Sequence, residues 1–148
     1  GTPTFPCYAK LDWVECSPGT CVLWDAGYRE HFPDLAFHNA AALLTRVVSR
    51  PGPDLLCLDL GHKAVASEMP QPRVLFPALP HAQFVAHNEE HLVLRTPRAE
   101  EFPIGTALYG IPWHICPTVA LHGSAYIVEN QRVTAEWPIV ARARKLTV

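Results

Sequence analysis

The stretch "TRVVSRPGPDLLCLDL", residues 45–60, decides the predicted fold. Two short apolar runs flank a Pro-Gly-Pro turn at residues 51–53, and the first run carries the β-branched pair Val47 and Val48. Alanines and leucines before residue 45 also suit a helix, but β-branched residues that run into a proline-glycine turn favour strands. We therefore predict an antiparallel hairpin here.

Further short apolar segments, each bounded by glycine or proline, follow this pattern elsewhere in the chain. The fifteen prolines are about twice the usual share, and proline ends helices, so a helical bundle is disfavoured. Many short strands at near-regular spacing are typical of a mainly β sandwich or barrel. The further candidate strands are residues 20–28, 73–76, 83–87, 91–96 and 104–112.

The C-terminal region contains the clearest hairpin pattern. "SAYIVE" and "RVTAEW" flank Asn130-Gln131, and we expect this hairpin, residues 124–136, to be part of the main sheet with protected amides. The alternating run "PIVARARKL" predicts one last strand over residues 138–146, with Arg142 and Arg144 on one face.

The composition describes a globular protein of one domain-sized unit. Of 148 residues, 49% are apolar and 18% charged, and the net charge of −2 argues against a dedicated nucleic-acid binder. No apolar run reaches the length of a membrane span, and the N-terminus lacks the apolar core of a signal peptide, which favours the cytoplasm. The five cysteines have no framework spacing, so we expect reduced thiols and read any special cysteine as a ligand.

"IPWHICPT", residues 111–118, places a histidine and a cysteine two positions apart. In an extended segment, residues i and i+2 point the same way, so His114 and Cys116 can both reach one metal ion. Two protein ligands leave coordination positions open, as a catalytic metal requires. A buried cysteine beside a satisfied histidine is the alternative, and spacing alone favours it.

The sequence around this pair resembles a known family. "YGIPWHICPTVALH" is similar to the metal-binding segment, Pro-x-His-x-Cys/Asp-Pro-Thr, of the D-threonine aldolase and D-serine dehydratase family. Other stretches resemble that family in the same order: "GTPTFP" its cofactor-phosphate loop and "ECSPGTCVLWD" its next barrel strand and turn. "DLGHKAVASE", "NEEHLVL" and "EWPIVARAR" resemble later motifs, so the resemblance covers nearly the whole chain.

The resemblance implies the C-terminal β-barrel or sandwich domain of a fold-type III enzyme, with an alanine-racemase-like fold. Residues 1–25 would be a remnant of its (β/α)8 barrel, and residues 26–148 the β domain with the metal-binding segment. Implied cofactors are pyridoxal phosphate and a divalent metal, zinc or manganese, held by His114 and Cys116; thiolate favours zinc. The family's Schiff-base lysine lies in the preceding barrel, and Lys10, Lys63 and Lys145, the lysines of this chain, do not match its position.

Further site residues follow from the resemblance, each with a structural alternative. Tyr109 is a candidate for catalytic proton transfer or for a phosphate hydrogen bond, and the alternative is a half-buried strand tyrosine. His91, after two glutamates, is a candidate proton carrier or partner of the metal ligand, and the alternative is a surface cluster. The implied phosphate contacts, which also read as ordinary turns, are Gly1, Thr2, Thr4, Gly19 and Thr20.

The implied function is that of a lyase acting on D-β-hydroxy amino acids, either D-threonine aldolase-like or D-serine dehydratase-like. We expect this chain alone to be inactive, and the barrel of the same polypeptide and a second subunit of a homodimer to be its partners. No nucleic acid or membrane partner is expected. The alternative is a free-standing β domain that binds a metal or small ligand without catalysis.

Overall fold

The computed structural model describes residues 1–143 and 145. Within those residues, six strands form one antiparallel sheet and two more form a separate hairpin, so the predicted mainly β class is confirmed. The strands are β1 (Leu43–Gly52), β2 (Leu55–Leu58), β3 (Val74–Leu75), β4 (Gln83–His87), β5 (Leu92–Arg95), β6 (Ala107–Pro112), β7 (Ser124–Glu129) and β8 (Arg132–Pro138). The short helices are α1 (Phe5–Tyr8), α2 (Ala26–His31) and α3 (Ile115–Val119), with 3-10 turns at Thr20–Val22, Ala99–Glu101 and Val140–Ala143. None of the helices in this part of the chain is long and apolar enough to cross a bilayer.

The hairpin predicted from residues 45–60 lies at the centre of the sheet, whose order is β3-β6-β1-β2-β5-β4. Val47 is opposite Leu58, and Gly52 is opposite Leu55, so β1 continues through the Pro-Gly pair that was expected to form the turn. The chain reverses one step later, at residues 53–54. The hairpin is confirmed, with a tighter turn than predicted.

The core lies against one face of this sheet, because apolar side chains alternate along the central strands. Leu56 and Leu58 on β2 and Leu94 on β5 are fully buried, and the residues between them are more exposed. The remaining buried members of the core are Val47, Leu60, Val65, Val74, Phe76, Leu79, Leu92, Ala99, Phe102 and Leu108.

The predicted strand at residues 20–28 is wrong, because this segment forms a 3-10 turn followed by α2. Asp25 is the N-cap of α2, and its carboxylate accepts the backbone amide of Tyr28 at 2.8 Å. Trp24 has a φ of 54°, which breaks the extended run that its apolar neighbours had suggested.

The terminal hairpin is antiparallel as predicted, and Asn130 and Gln131 both adopt positive φ, as a tight hairpin turn requires. It does not join the main sheet, however: in the described chain β7 and β8 pair only with each other. Both strands are mainly exposed, with Tyr126 and Trp137 68% and 63% exposed. The expectation that the hairpin is part of the main sheet is therefore wrong.

The last predicted strand is also wrong. Val140–Ala143 forms a 3-10 turn, in which the Arg142 side chain donates from Nε to the carbonyl oxygen of Ala120 at 3.0 Å. Arg144, predicted to share a face with Arg142, lies outside the described residues.

Candidate metal and cofactor site

His114 is the N-cap of α3, and Cys116 lies in the first turn of that helix. The prediction of an extended segment is therefore wrong beyond His114, whose own φ and ψ of −128° and 105° are extended. A proline is tolerated in the first turn of a helix, where its missing N–H has no intrahelical partner, so Pro117 permits the helix to begin at Ile115. The expectation that His114 and Cys116 point the same way, as residues i and i+2 of an extended segment do, therefore does not apply to this pair.

A buried carboxylate holds this segment against α2. The Asp25 side chain, in a residue that is 1% exposed, accepts the amide of Tyr28 through Oδ1 at 2.8 Å and the amide of Ile115 through Oδ2 at 3.0 Å. Gly27 also donates its amide to the carbonyl oxygen of Trp113 at 3.0 Å, and a Cβ at this glycine would lie 2.7 Å from the same oxygen. One aspartate thus caps both short helices, and the chain packs so closely that only glycine fits at position 27.

The imidazole of His114 has a carboxylate partner that the sequence did not reveal. Glu68 Oε1 lies 2.6 Å from Nδ1 of His114, and the two side chains are 45% and 40% exposed. Because an ionised carboxylate only accepts hydrogen bonds, Nδ1 carries the hydrogen, and Nε2 of the neutral ring keeps its lone pair. Glu68 is the last residue of the "DLGHKAVASE" motif, but its spacing from His114 gives no local signal.

Thr118 holds the loop that carries Glu68 close to α3. Its hydroxyl donates to the carbonyl oxygen of His114 at 2.7 Å and accepts the amide of Ala66 at 3.2 Å. Thr118 is 1% exposed, so these bonds are protected from water. The Pro-Thr end of the motif therefore has a structural role in joining two segments.

The predicted phosphate turn and the predicted metal segment are in contact. Thr20 Oγ1 and Cys116 Sγ are hydrogen-bonded at 3.3 Å, although the residues are 96 positions apart in the chain. At Gly19, a built Cβ would meet no heavy atom within 4 Å, so the backbone beside the Thr20 hydroxyl is open. An open glycine backbone next to a hydroxyl fits a phosphate oxygen.

A cavity of about 330 Å³ opens beside His114. The ring of His31 lines this cavity and donates from Nδ1 to the carbonyl oxygen of Gly27 at 2.7 Å. Most of the other lining side chains are apolar or aromatic, as is usual for small-molecule sites. The walls include Asp25, Tyr28, Phe32, Met69 and Trp113.

The other predicted phosphate residues lie in the first turn of the chain, before α1. Thr4 donates from its hydroxyl to the carbonyl oxygen of Gly1 at 3.3 Å, and Thr2 is 4% exposed. Across residues 1–143, no hydrogen bond joins this turn to Gly19 or Thr20. The structure therefore brings Thr20 into contact with Cys116, and hydrogen bonds link Gly1 and Thr4 within their own turn.

Tyr109 and His91 do not line the cavity beside His114. Tyr109 is 64% exposed on β6, on the face opposite the buried Leu108, and is not among the residues that line the cavity. His91 is exposed in the turn between β4 and β5, and its ring makes no hydrogen bond with His114 or Cys116 in the described part of the chain. The side chain that contacts the His114 ring is that of Glu68.

The residues at α3 include an imidazole and a thiol, two side-chain types that bind metal ions in proteins. Among the described residues, no cluster of three or more histidine, cysteine, aspartate or glutamate side chains is arranged to hold a metal. His114 and Cys116 offer one imidazole nitrogen and one thiolate, which are ligands that zinc favours. A site built on these two would leave positions for solvent or substrate.

Comparison with known proteins finds a matching family and several relatives that are similar to this chain. Residues 40–128 match the family described as "Putative serine dehydratase domain". A D-threonine aldolase from an Arthrobacter species is 33% identical over 133 residues, which cover 88% of this chain and 35% of that protein. An uncharacterised protein of Mycobacterium tuberculosis is 30% identical over 115 residues, covering 75% of this chain and 86% of that protein.

Solved structures show the same fold. The D-threonine aldolase from Filomicrobium marinum superposes with a TM-score of 0.81 at 25% identity, over 96% of this chain and 38% of that one. A histidine-to-alanine variant of D-threo-3-hydroxyaspartate dehydratase superposes with a TM-score of 0.65 at 20% identity. The superposition covers 79% of this chain and 35% of that one. A cysteine-to-alanine variant of that dehydratase, in its metal-free form, superposes with a TM-score of 0.63 at 18% identity. The superposition covers 81% of this chain and 37% of that one.

This chain spans little more than a third of the D-threonine aldolases it matches. The family match nevertheless covers more than half of the chain and includes the His114–Cys116 segment. The resemblance predicted from the sequence is confirmed: the chain belongs to the D-threonine aldolase and D-serine dehydratase family.

Proposed function

We propose that this chain supplies the metal-binding part of a lyase that depends on pyridoxal phosphate and a divalent metal and acts on D-β-hydroxy amino acids. The names of its relatives, D-threonine aldolase and D-threo-3-hydroxyaspartate dehydratase, denote substrates of this class. The observation that supports the proposal is the 3.3 Å contact between Thr20 Oγ1 and Cys116 Sγ, which joins the turn predicted to bind phosphate to the segment predicted to bind metal.

The metal would be held by Nε2 of His114 and Sγ of Cys116. In the two dehydratase variants the replaced histidine and cysteine are two positions apart, like this pair, and the cysteine variant is a metal-free form. Zinc is the expected ion, because a thiolate is a soft ligand, and manganese is the alternative.

Pyridoxal phosphate, when bound, supplies an electron sink for the substrate, and the metal supplies a Lewis acid for its β-hydroxyl. Thr20 and the open backbone at Gly19 would bind the phosphate, with Gly1, Thr2 and Thr4 as a further predicted contact. His114 lines the cavity, so a substrate held there would lie against its aromatic walls. Tyr109 and His91 are exposed, so a part in proton transfer would require a partner that covers them.

The aldolase and dehydratase reactions both use a D-β-hydroxy amino acid. By resemblance, a cysteine at the second ligand position is more common in the dehydratase branch, and this favours dehydration slightly. We expect the chain alone to be inactive, because none of Lys10, Lys63 and Lys145 matches the family's cofactor-binding lysine. A barrel in the same polypeptide, within a homodimer, would supply that lysine.

A free-standing β domain that binds a metal or small ligand without catalysis is the second candidate. The mycobacterial relative supports it, since the match covers 86% of that protein and leaves little room for a barrel. The gene sequence upstream distinguishes the two: an encoded barrel with a lysine near its first strand favours the enzyme.

Zinc titration by calorimetry tests the metal site. We expect the wild type to bind one zinc ion per chain and His114→Ala and Cys116→Ser to bind it at least about tenfold more weakly. Binding should weaken as the pH falls, because both ligands must be deprotonated. His38→Ala, at an exposed histidine, is the matched control. Equal affinity of the wild type and His114→Ala would overturn the assignment.

A further inference from the structure

We propose that Glu68 is the positioning residue of the metal site: it fixes the tautomer and orientation of the His114 ring so that Nε2 faces the ion. This inference rests on the proposed metal-binding function and extends it to a residue outside the Pro-x-His-x-Cys motif. The structural basis is the 2.6 Å hydrogen bond from Nδ1 of His114 to Oε1 of Glu68.

This hydrogen bond selects one of the two neutral forms of the ring. A carboxylate cannot donate, so the hydrogen stays on Nδ1, and the lone pair that a metal needs stays on Nε2. Without a partner at Nδ1, a neutral imidazole exchanges between both tautomers and rotates about its side-chain bonds. Metal-ligating histidines generally have such a partner, which raises the basicity of the ligating nitrogen.

The loop that carries Glu68 is tied to the metal segment on both sides. Before Glu68, the Ala64 carbonyl oxygen accepts from Nε2 of His122 at 2.8 Å, and the Ala66 amide donates to Thr118 Oγ1 at 3.2 Å. After Glu68, the carbonyl oxygen of Arg73 accepts the amide of Trp113 at 2.8 Å. Three contacts with residues 113–122 therefore place the Glu68 carboxylate in register with the His114 ring.

Stability alone gives little reason for this pair. Both side chains are 40% or more exposed, and exposed ion pairs typically contribute about 0–1 kcal/mol to folding. The hydrogen bond has a larger effect on the ring, because it decides which nitrogen is free.

The test compares Glu68→Ala and Glu68→Gln with the wild type, and uses Glu100→Ala, an exposed glutamate in the 99–101 turn, as the matched control. The tautomer of His114 is read from the ¹⁵N chemical shifts of its ring in metal-free protein at a pH where the ring is neutral. We expect hydrogen on Nδ1 in the wild type and a mixture of tautomers in Glu68→Ala and in Glu68→Gln, because a glutamine amide can accept from Nδ1 or, when rotated, donate to it. Zinc affinity, measured by calorimetry, should fall about 10–100-fold in Glu68→Ala and less in Glu68→Gln.

The two measurements separate this inference from the proposed function. If the wild type binds zinc through His114 while Glu68→Ala keeps both its tautomer and its affinity, the role of Glu68 is overturned and the metal site remains. If the tautomer depends on Glu68 but the wild type binds no zinc, the metal site fails and the positioning of the ring remains. Urea unfolding of Glu68→Ala should match the wild type. If that variant does not fold, the Glu68→Gln spectrum decides, and hydrogen that stays wholly on Nδ1 in Glu68→Gln overturns the proposal.

Discussion

At the scale of single residues, Asp25 joins two parts of the chain that are 90 positions apart. Asp25→Ala removes the acceptor for two backbone amides, and leaves the buried amide of Ile115 and the part-buried amide of Tyr28 without a partner. We expect the free energy of unfolding in urea to fall by about 2–4 kcal/mol, since each buried amide left unpaired costs about 1–3 kcal/mol. Asp25→Asn keeps one side-chain oxygen, so its loss should be smaller.

Asp34→Ala is the control for this prediction, because Asp34 is an exposed aspartate close to α2 in the sequence. Its effect should stay within about 0.5 kcal/mol, as for most surface substitutions. If Asp25→Ala and Asp34→Ala lowered the free energy of unfolding by the same small amount, the hydrogen bonds of Asp25 would not stabilise the contact between α2 and α3.

His87 makes the stability of the protein depend on pH. Burial lowers the pKa of His87 below its usual 6.5, and the positive charge of Arg73 adds to this, while the Leu60 carbonyl oxygen opposes it. Below pH 6.5 the unfolded chain therefore takes up a proton that the folded protein resists. The contribution of the neutral His87 ring to the free energy of unfolding is fully present above pH 6.5. It is lost as the pH falls towards the lower pKa that His87 has in the folded state.

Urea unfolding between about pH 7.5 and pH 5.5 measures this effect. We expect the unfolding midpoint of the wild type to fall over this window and that of His87→Gln to change less. Glu90 does not interfere: hydrogen bonding to Lys63 lowers the pKa of its carboxyl below 4.5, so its contribution changes only under more acidic conditions. Equal pH dependence in the wild type and the variant would assign the effect to other groups.

At the scale of elements, the hairpin β7–β8 should be the least protected pair of strands. A two-stranded hairpin is marginally stable in water, and here Tyr126, Val128 and Trp137 are each more than 60% exposed. We expect the amides of 124–138 to exchange hydrogen faster than those of β2, where Leu56 and Leu58 are fully buried. Protection of β7–β8 equal to that of β2 in this chain would contradict the structure.

The helix α2 shows why one element was not predicted. The helix has the usual signals at both ends: an aspartate N-cap, Asp25, and two basic residues, Arg29 and His31, in the last turn. The apolar run before Asp25, however, has the composition of a strand. Tertiary contacts decide between the two, since Trp24 packs on Phe37 and Tyr28, with ring centroids 5.1 and 5.5 Å away. A local pattern does not contain that information.

At the scale of the whole molecule, local patterns predicted the positions of most strands, but predicted only in part which strands pair with each other in the sheet. The β1–β2 and β7–β8 hairpins could be predicted because a turn joins adjacent runs, whereas the pairing of β1 with β6 joins residues more than 60 positions apart. The same limit holds for the site. His114, Cys116 and Thr20 lie in recognisable motifs, but the contact of Glu68 with His114, across 46 positions, follows from the fold alone.

The separation of Asp25 from Ile115 has a consequence for synthesis of the chain. At about 5–20 residues per second, the ribosome adds Ile115 roughly 5–20 s after Asp25. During that interval, the Asp25 carboxylate, which is buried in the folded protein, and the amide of Gly27 have no partner from residues 113–115. The nascent chain therefore keeps these polar groups open to water for seconds, and a product whose translation stops before residue 113 would leave them open to chaperones and proteases.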